Sequence, residues 1–163
     1  MRSVKISEFL KPERVILDLQ ADSKSEAIRA LAEKVRGADE VESFPDFIKA
    51  VYDREDIATT GIGCGIGIPH ARTDAVSRFL VIFGRSKNGI PFQALDDKPV
   101  HFVFLLATPQ ECLKDYLLIL ARLSQLMKSS EFRDKLGMAE SPAQVIELFQ
   151  KSETGLENHK VHC

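Results

Sequence analysis

His70 closes the run Thr59-Thr60-Gly61-Ile62-Gly63-Cys64-Gly65-Ile66-Gly67-Ile68-Pro69-His70, and it is the residue of this sequence best suited to chemistry. Neutral imidazole is a good nucleophile near pH 7, and a hydrogen bond to one ring nitrogen fixes the tautomer and leaves the other with its lone pair. The surrounding residues carry donors suited to an anion: the backbone amides of Gly61, Gly63 and Gly65, the hydroxyls of Thr59 and Thr60, and the guanidinium of Arg54. Those parts fit phosphoryl transfer, which asks a protein for positioning and for donors aimed at three charged oxygens. One charge-assisted hydrogen bond of this sort contributes about 1.5 to 3 kcal/mol. A strand-end histidine taken alone is more often a hydrogen-bonded structural residue. Arg54 alone is more often a charge placed against the end of a helix dipole.

Elements must bring these groups together. Residues 15–19 read as a first strand, and Ser23 with Glu26 three positions later opens a helix that should end near Gly37. Pro45 in a first turn and Phe44, Phe47, Ile48 and Val51 on one face predict a second helix over residues 44–55, with Arg54 near its end. Four glycines in seven positions exclude a helix interior, because each would cost roughly 1 kcal/mol relative to alanine. The block is therefore a loop passing into a short strand, with Ile62, Ile66 and Ile68 facing the core and Pro69 ending the ladder, so that His70 stands at a strand end. Residues 79–83 and 101–107 are apolar on both faces, as central strands are, with turns at Asn88-Gly89 and 96–99 between them. Leucines from 113 to 126 predict a helix over residues 111–127 as the most buried one, and Ser141-Pro142 starts a last helix.

The expected fold is α/β: a three-layer α/β/α sandwich with a central mixed sheet and His70 in a shallow depression at its edge. Residues 1–150 form a single domain and residues 151–163 a flexible polar tail. A net charge of −2 from 22 basic and 24 acidic residues, with the signs interspersed, argues against general nucleic-acid binding. No apolar stretch is long enough to span a bilayer, and the N-terminus shows no export signal. Three widely spaced cysteines make no disulfide framework, so a cytoplasmic setting is expected. Cys64 reads as a small loop residue and His101 as a structural one, while His159, His162 and Cys163 lack a preorganised geometry. No metal and no cofactor is implied.

Arg54-Glu55, then Thr60-Gly61-Ile62-Gly63, Gly65-Ile66-Gly67-Ile68-Pro69-His70-Ala71, Phe92, Asp96, Pro99-Val100, Phe104-Leu105-Leu106 and Pro109 together carry a resemblance over residues 5–150. The sequence resembles the fructose/mannitol type of enzyme IIA domain of the bacterial phosphoenolpyruvate:sugar phosphotransferase system, which includes the nitrogen-regulatory enzyme IIA proteins. The resemblance implies a phosphotransferase in which His70 accepts a phosphoryl group from the phosphocarrier HPr and Arg54 neutralises it. It implies onward transfer to a cysteine of an enzyme IIB, or control of a regulated protein target. Many members carry a second active-site histidine on the helix after Pro109. Here, depending on a one-residue gap, Asp115 or Tyr116 stands in that place, and Asp115 would repel a phosphoryl group if it pointed inward.

Overall fold

A computed structural model describes residues 4–157. Six strands form one mixed sheet: β1 (Val15–Ile16), β2 (Gly61–Gly63), β3 (Ile66–Gly67), β4 (His70–Arg72), β5 (Leu80–Ile90) and β6 (Val100–Thr108). Their order is β1-β5-β6-β3-β2, with β4 also paired to β6. Five helices cover it: α1 (Lys24–Glu33), α2 (Phe44–Ile57), α3 (Leu113–Met127), α4 (Ser130–Met138) and α5 (Pro142–Glu157). The β5–β6 pair is antiparallel, with Phe83 opposite Phe104 and Leu80 opposite Ala107. Alternation along these two strands feeds two cores. Val81, Phe83, Phe104 and Leu106 pack with Tyr116, Ile119 and Leu123 of α3, Phe132 of α4 and Phe149 of α5. Leu80, Ile82, Val103 and Leu105 pack with Ile28 and Leu31 of α1 and with Phe47 and Val51 of α2. This is the expected three-layer arrangement.

Side-chain caps start the helices where the sequence placed them. Ser23 Oγ accepts from the Glu26 amide at 3.1 Å, and Ser141 Oγ accepts from the Gln144 amide at 3.1 Å. Ser129 caps α4 in the same way, accepting from the Phe132 amide at 3.2 Å. That helix was not expected, because Gly137 and a polar composition hid a short apolar face of Phe132 and Leu136.

The glycine block is a hairpin. β2 and β3 pair antiparallel around Cys64 and Gly65, whose φ values of 57° and 77° are both left-handed, as a two-residue hairpin turn requires. Gly67 is small for a different reason: a Cβ there would lie 2.9 Å from the Phe92 ring. Pro69 interrupts the ladder without ending it. Ile66 stands opposite Phe102 and His70 opposite Leu106, so β3 and β4 keep the same offset of 36 residues against β6. His70 is the first residue of the resumed strand.

Other expectations need correction. The first strand is limited to Val15–Ile16. Ile62 is 45 % exposed at the hairpin and does not enter the core. Asn88 and Gly89 lie inside β5 at a register break between Arg85 and Ile90, and the chain reverses farther on, near Ala94 to Asp97. The α3 face is rotated from the one the leucines suggested: Tyr116, Ile119, Leu123, Leu126 and Met127 are buried, while Leu113, Leu117 and Leu118 are exposed.

Finally, α5 continues past Lys151 to Glu157, because Glu153 is fully buried and holds the start of the chain. Its carboxylate accepts from the amides of Ile6 at 2.7 Å and Ser7 at 2.9 Å. Glu153→Ala should therefore leave two backbone donors unpaired and cost about 2 to 3 kcal/mol. A thermal midpoint lower by roughly 4 to 12 °C in a melt checks this, and a change below about 1 °C would refute it. His159, His162 and Cys163 lie outside the described residues.

Candidate functional site

His70 opens into a depression of about 310 Å³ lined by Ala50, Arg54, Ala71, Arg72 and Tyr116. The three supporting elements are α2, β4 and α3. Strand alternation turns Ala71 into the core under α2 and directs His70 and Arg72 to the opposite face, toward α3. Larger cavities of about 720 and 830 Å³ lie elsewhere and do not include His70. A small open depression suits presentation to another protein, whereas a small-molecule enzyme would enclose its substrate.

The His70 Nδ1 lies 2.7 Å from the Ile68 carbonyl oxygen. A carbonyl can only accept, so Nδ1 carries the proton and Nε2 keeps its lone pair. Burial holds the imidazole pKa below its ordinary 6.5; the Ile68 carbonyl opposes that shift, the Arg54 charge adds to it, and the Glu55 charge opposes it. The ring is thus a neutral nucleophile at pH 7. Phosphoryl acceptance by His70 should accordingly hold its rate as pH falls from 8 to 6.5, where an ordinary imidazole is about half protonated. Initial rates across that range check this, and a drop by half centred on 6.5 or above would contradict it.

Arg54 and Arg72 flank the ring. The Arg54 Nη1 donates to the Ala58 carbonyl at 3.1 Å, and the Arg72 Nη1 to the Gln110 carbonyl at 3.3 Å, which leaves both guanidinium groups with further donors. Tyr116 stacks obliquely on His70 with ring centroids 5.5 Å apart. Burial raises its phenol pKa, while the charges of Arg54 and Arg72 oppose that rise, so the hydroxyl stays protonated and can donate. Of the two candidates for the missing histidine, Tyr116 is the one that meets His70. Asp115 lines a separate cavity with Phe9, Arg78, Thr108 and Cys112.

The other expected site residues are committed elsewhere. The Thr59 hydroxyl donates to the Phe92 carbonyl at 3.2 Å and accepts from the Gly61 amide at 3.1 Å. The Thr60 hydroxyl donates to Glu55 Oε2 at 2.6 Å. Gly63 pairs with Ile66 in the hairpin, and the Gly65 carbonyl accepts from the His101 and Phe102 amides. None of Thr59, Thr60, Gly61, Gly63 and Gly65 lines the depression. His101 lies outside the depression, in a separate cavity with Leu17 and Phe102, and its Nδ1 is 2.9 Å from the Ser86 carbonyl. Arg72 was missed, although its position two residues after His70 on a strand was signal enough.

Fold and site together define a protein that presents one neutral imidazole, flanked by two arginines, in an open depression at a sheet edge. Residues 8–152 match the family described as phosphoenolpyruvate-dependent sugar phosphotransferase system, EIIA 2. The chain is 41% identical over 136 residues to a fructose-specific EIIA component of Haloferax volcanii, covering 83% of this chain and 88% of that one. The crystal structure of the nitrogen regulatory protein IIA-Ntr from Neisseria meningitidis superposes with a TM-score of 0.82 at 27% identity, over 88% of this chain and 98% of that one. Enzyme IIA of the mannitol system from Escherichia coli, solved in complex with phosphorylated enzyme IIB, gives a TM-score of 0.75 at 25% identity, over 87% of this chain and 97% of that one. The chain belongs to the EIIA 2 family and is a phosphoryl-carrier component of the phosphotransferase system. Among the described residues no helix is long and apolar enough to cross a membrane.

Proposed function

We propose that His70 accepts a phosphoryl group on Nε2 from the phosphohistidine of HPr, and that Arg54, Arg72 and Tyr116 hold the group's oxygens. The carrying observation is the Nδ1 contact to the Ile68 carbonyl, which commits Nε2 to the lone pair. In the step the Nε2 lone pair attacks phosphorus, the N–P bond of the donor breaks, and its electron pair returns to the donor imidazole. The guanidinium and phenol donors stabilise the charge on the three transferred oxygens. The positive charge of the two guanidinium groups also offsets the repulsion of an incoming phosphoryl group.

The phosphoryl group then passes to a cysteine of an enzyme IIB, whose partnership is documented for the mannitol enzyme of Escherichia coli. A regulatory reading is favoured by one observation: Tyr116, not a histidine, meets His70. A phenol that stays protonated can hold the group in place but offers no second imidazole to assist its departure. Slow departure suits a protein whose phosphorylation state is read by direct contact. The setting for either role is the cytoplasm, where phosphoenolpyruvate supplies the phosphoryl groups.

Incubation with phosphoenolpyruvate, enzyme I and HPr, followed by chase with a fructose-type or mannitol-type enzyme IIB, tests both readings. Acid-labile label on the protein supports acceptance. Rapid loss of that label to a IIB cysteine supports the transport role, and persistence through the chase supports the regulatory one. No label beside a labelled control IIA would sink the carrier reading.

A further inference from the structure

Glu55 is a buried carboxylate next to the site, and no step above uses it. It is 6 % exposed, and its partners are complete: Oε1 accepts from Lys24 Nζ at 2.9 Å and from the Thr60 amide at 2.9 Å, and Oε2 accepts from the Thr60 hydroxyl at 2.6 Å. Taking a carboxylate out of water costs several kcal/mol, which Lys24 and Thr60 offset here, and loss of either partner would leave a buried charge uncompensated.

The contacts continue beyond Thr60. The Thr60 carbonyl accepts from the Ile68 amide at 3.1 Å, and the Ile68 carbonyl takes the His70 Nδ1 at 2.7 Å. Glu55 thus fixes Thr60, Thr60 fixes Ile68, and the Ile68 carbonyl fixes the tautomer of the ring. Lys24 on α1 closes the chain from the other side, its Nζ also lying 5.2 Å from the Phe92 ring centroid. Phe92 is the ring that demands glycine at position 67, so the same cluster sets the path of β3 into His70.

There is also an electrostatic reason for a carboxylate here. Attack by Nε2 puts positive charge on the ring, and the two guanidinium groups that favour the phosphoryl oxygens oppose that charge. Arg54 of α2, Arg72 of β4 and Tyr116 of α3 line the depression with His70, while Glu55 lies behind it on α2, and of the charges that act on the ring Glu55 supplies the negative one. We infer that Glu55, anchored by Lys24 and Thr60, is a positioning residue that holds His70 in its Nδ1–H form and counters the charge that develops on its ring.

The inference rests on His70 being the phosphoryl acceptor, and its first readouts are taken on the unphosphorylated protein, so its failure is distinct from a failure of labelling. Nitrogen-15 NMR of the His70 ring follows tautomer and titration in wild type, Glu55→Gln and Lys24→Met. Glutamine keeps the size and an acceptor for Thr60 but removes the charge. The expected results are a mixed tautomer and a titration moved to lower pH in Glu55→Gln. In Lys24→Met, where the carboxylate is less neutralised, the titration should move to higher pH. General loosening would move both variants the same way. Labelling by phospho-HPr should slow roughly tenfold to a hundredfold in Glu55→Gln, as misorientation of a reacting group does. An unchanged tautomer in Glu55→Gln, or shifts of one sign in both variants, would overturn the inference.

Discussion

In the presence of phosphoenolpyruvate, enzyme I and HPr, the His70→Ala protein takes up no acid-labile label while keeping its fold. The loss is expected to be complete because the other described histidine, His101, lies in a different cavity with Leu17 and Phe102, away from Arg54, Arg72 and Tyr116. The fold should survive because His70 is half-buried and its side chain makes one hydrogen bond, to the Ile68 carbonyl, and one ring contact, to Tyr116. Removing these costs about 1 to 2 kcal/mol, a modest part of a domain's usual stability. Mass-spectrometric mapping of the phosphoramidate in wild type, with stoichiometry in His70→Ala and His101→Gln, makes the comparison. Retention of label in His70→Ala at wild-type stoichiometry would place the chemistry elsewhere and defeat the assignment.

The parts of this fold that were legible in the sequence are those set by local chemistry. Ser23, Ser129 and Ser141 each accept from the amide three residues on, and a cap of this kind depends on spacing alone. Ser23 and Ser141 stand before long apolar stripes that make the cap legible, whereas Ser129 stands before the short stripe of α4. The two-sided apolarity of β5 and β6 likewise announced a sheet covered on both faces, since each strand must feed two cores. Misreadings arose where a decision is tertiary. The leucines of α3 define a stripe by count, but the buried face is chosen by Phe104 and Phe149, which were invisible as neighbours until the chain had folded. Gly61, Gly63 and Gly65 looked like phosphate donors because a glycine run allows that conformation. Here the same freedom is spent on a hairpin turn and on close approach to Phe92 and Ala94. Glu55 entered only beside Arg54 in the resemblance, with no role of its own. Its meaning depends on Lys24, 31 positions earlier, and on Thr60, five positions later, just before β2 begins.

Arg54→Met should lower the rate of phosphoryl acceptance by about a hundredfold to a thousandfold, the cost of losing one preorganised donor to a developing anion. Its effect on stability should be small, because the side chain is partly exposed and donates within the described structure only to the Ala58 carbonyl at the end of its own helix. This divergence between rate and stability separates a phosphoryl-binding arginine from one that merely caps α2. Arg54→Lys should recover only part of the rate, since an ammonium restores the charge but not the planar fork that matches two phosphoryl oxygens. The loss in Arg54→Met should also grow as pH falls. The Arg54 charge helps to keep the His70 pKa below its ordinary value, so removing it lets the ring protonate at higher pH and withdraws nucleophile on the acid side. Arg72, which is exposed and bound to the Gln110 carbonyl, should show a smaller rate loss on Arg72→Met and no pH trend of this size. Initial labelling rates at pH 6 and pH 8, beside thermal melts of each variant, provide the check. A rate loss in Arg54→Met that tracks the loss of folded protein, or one equal at both pH values, would return Arg54 to a structural role.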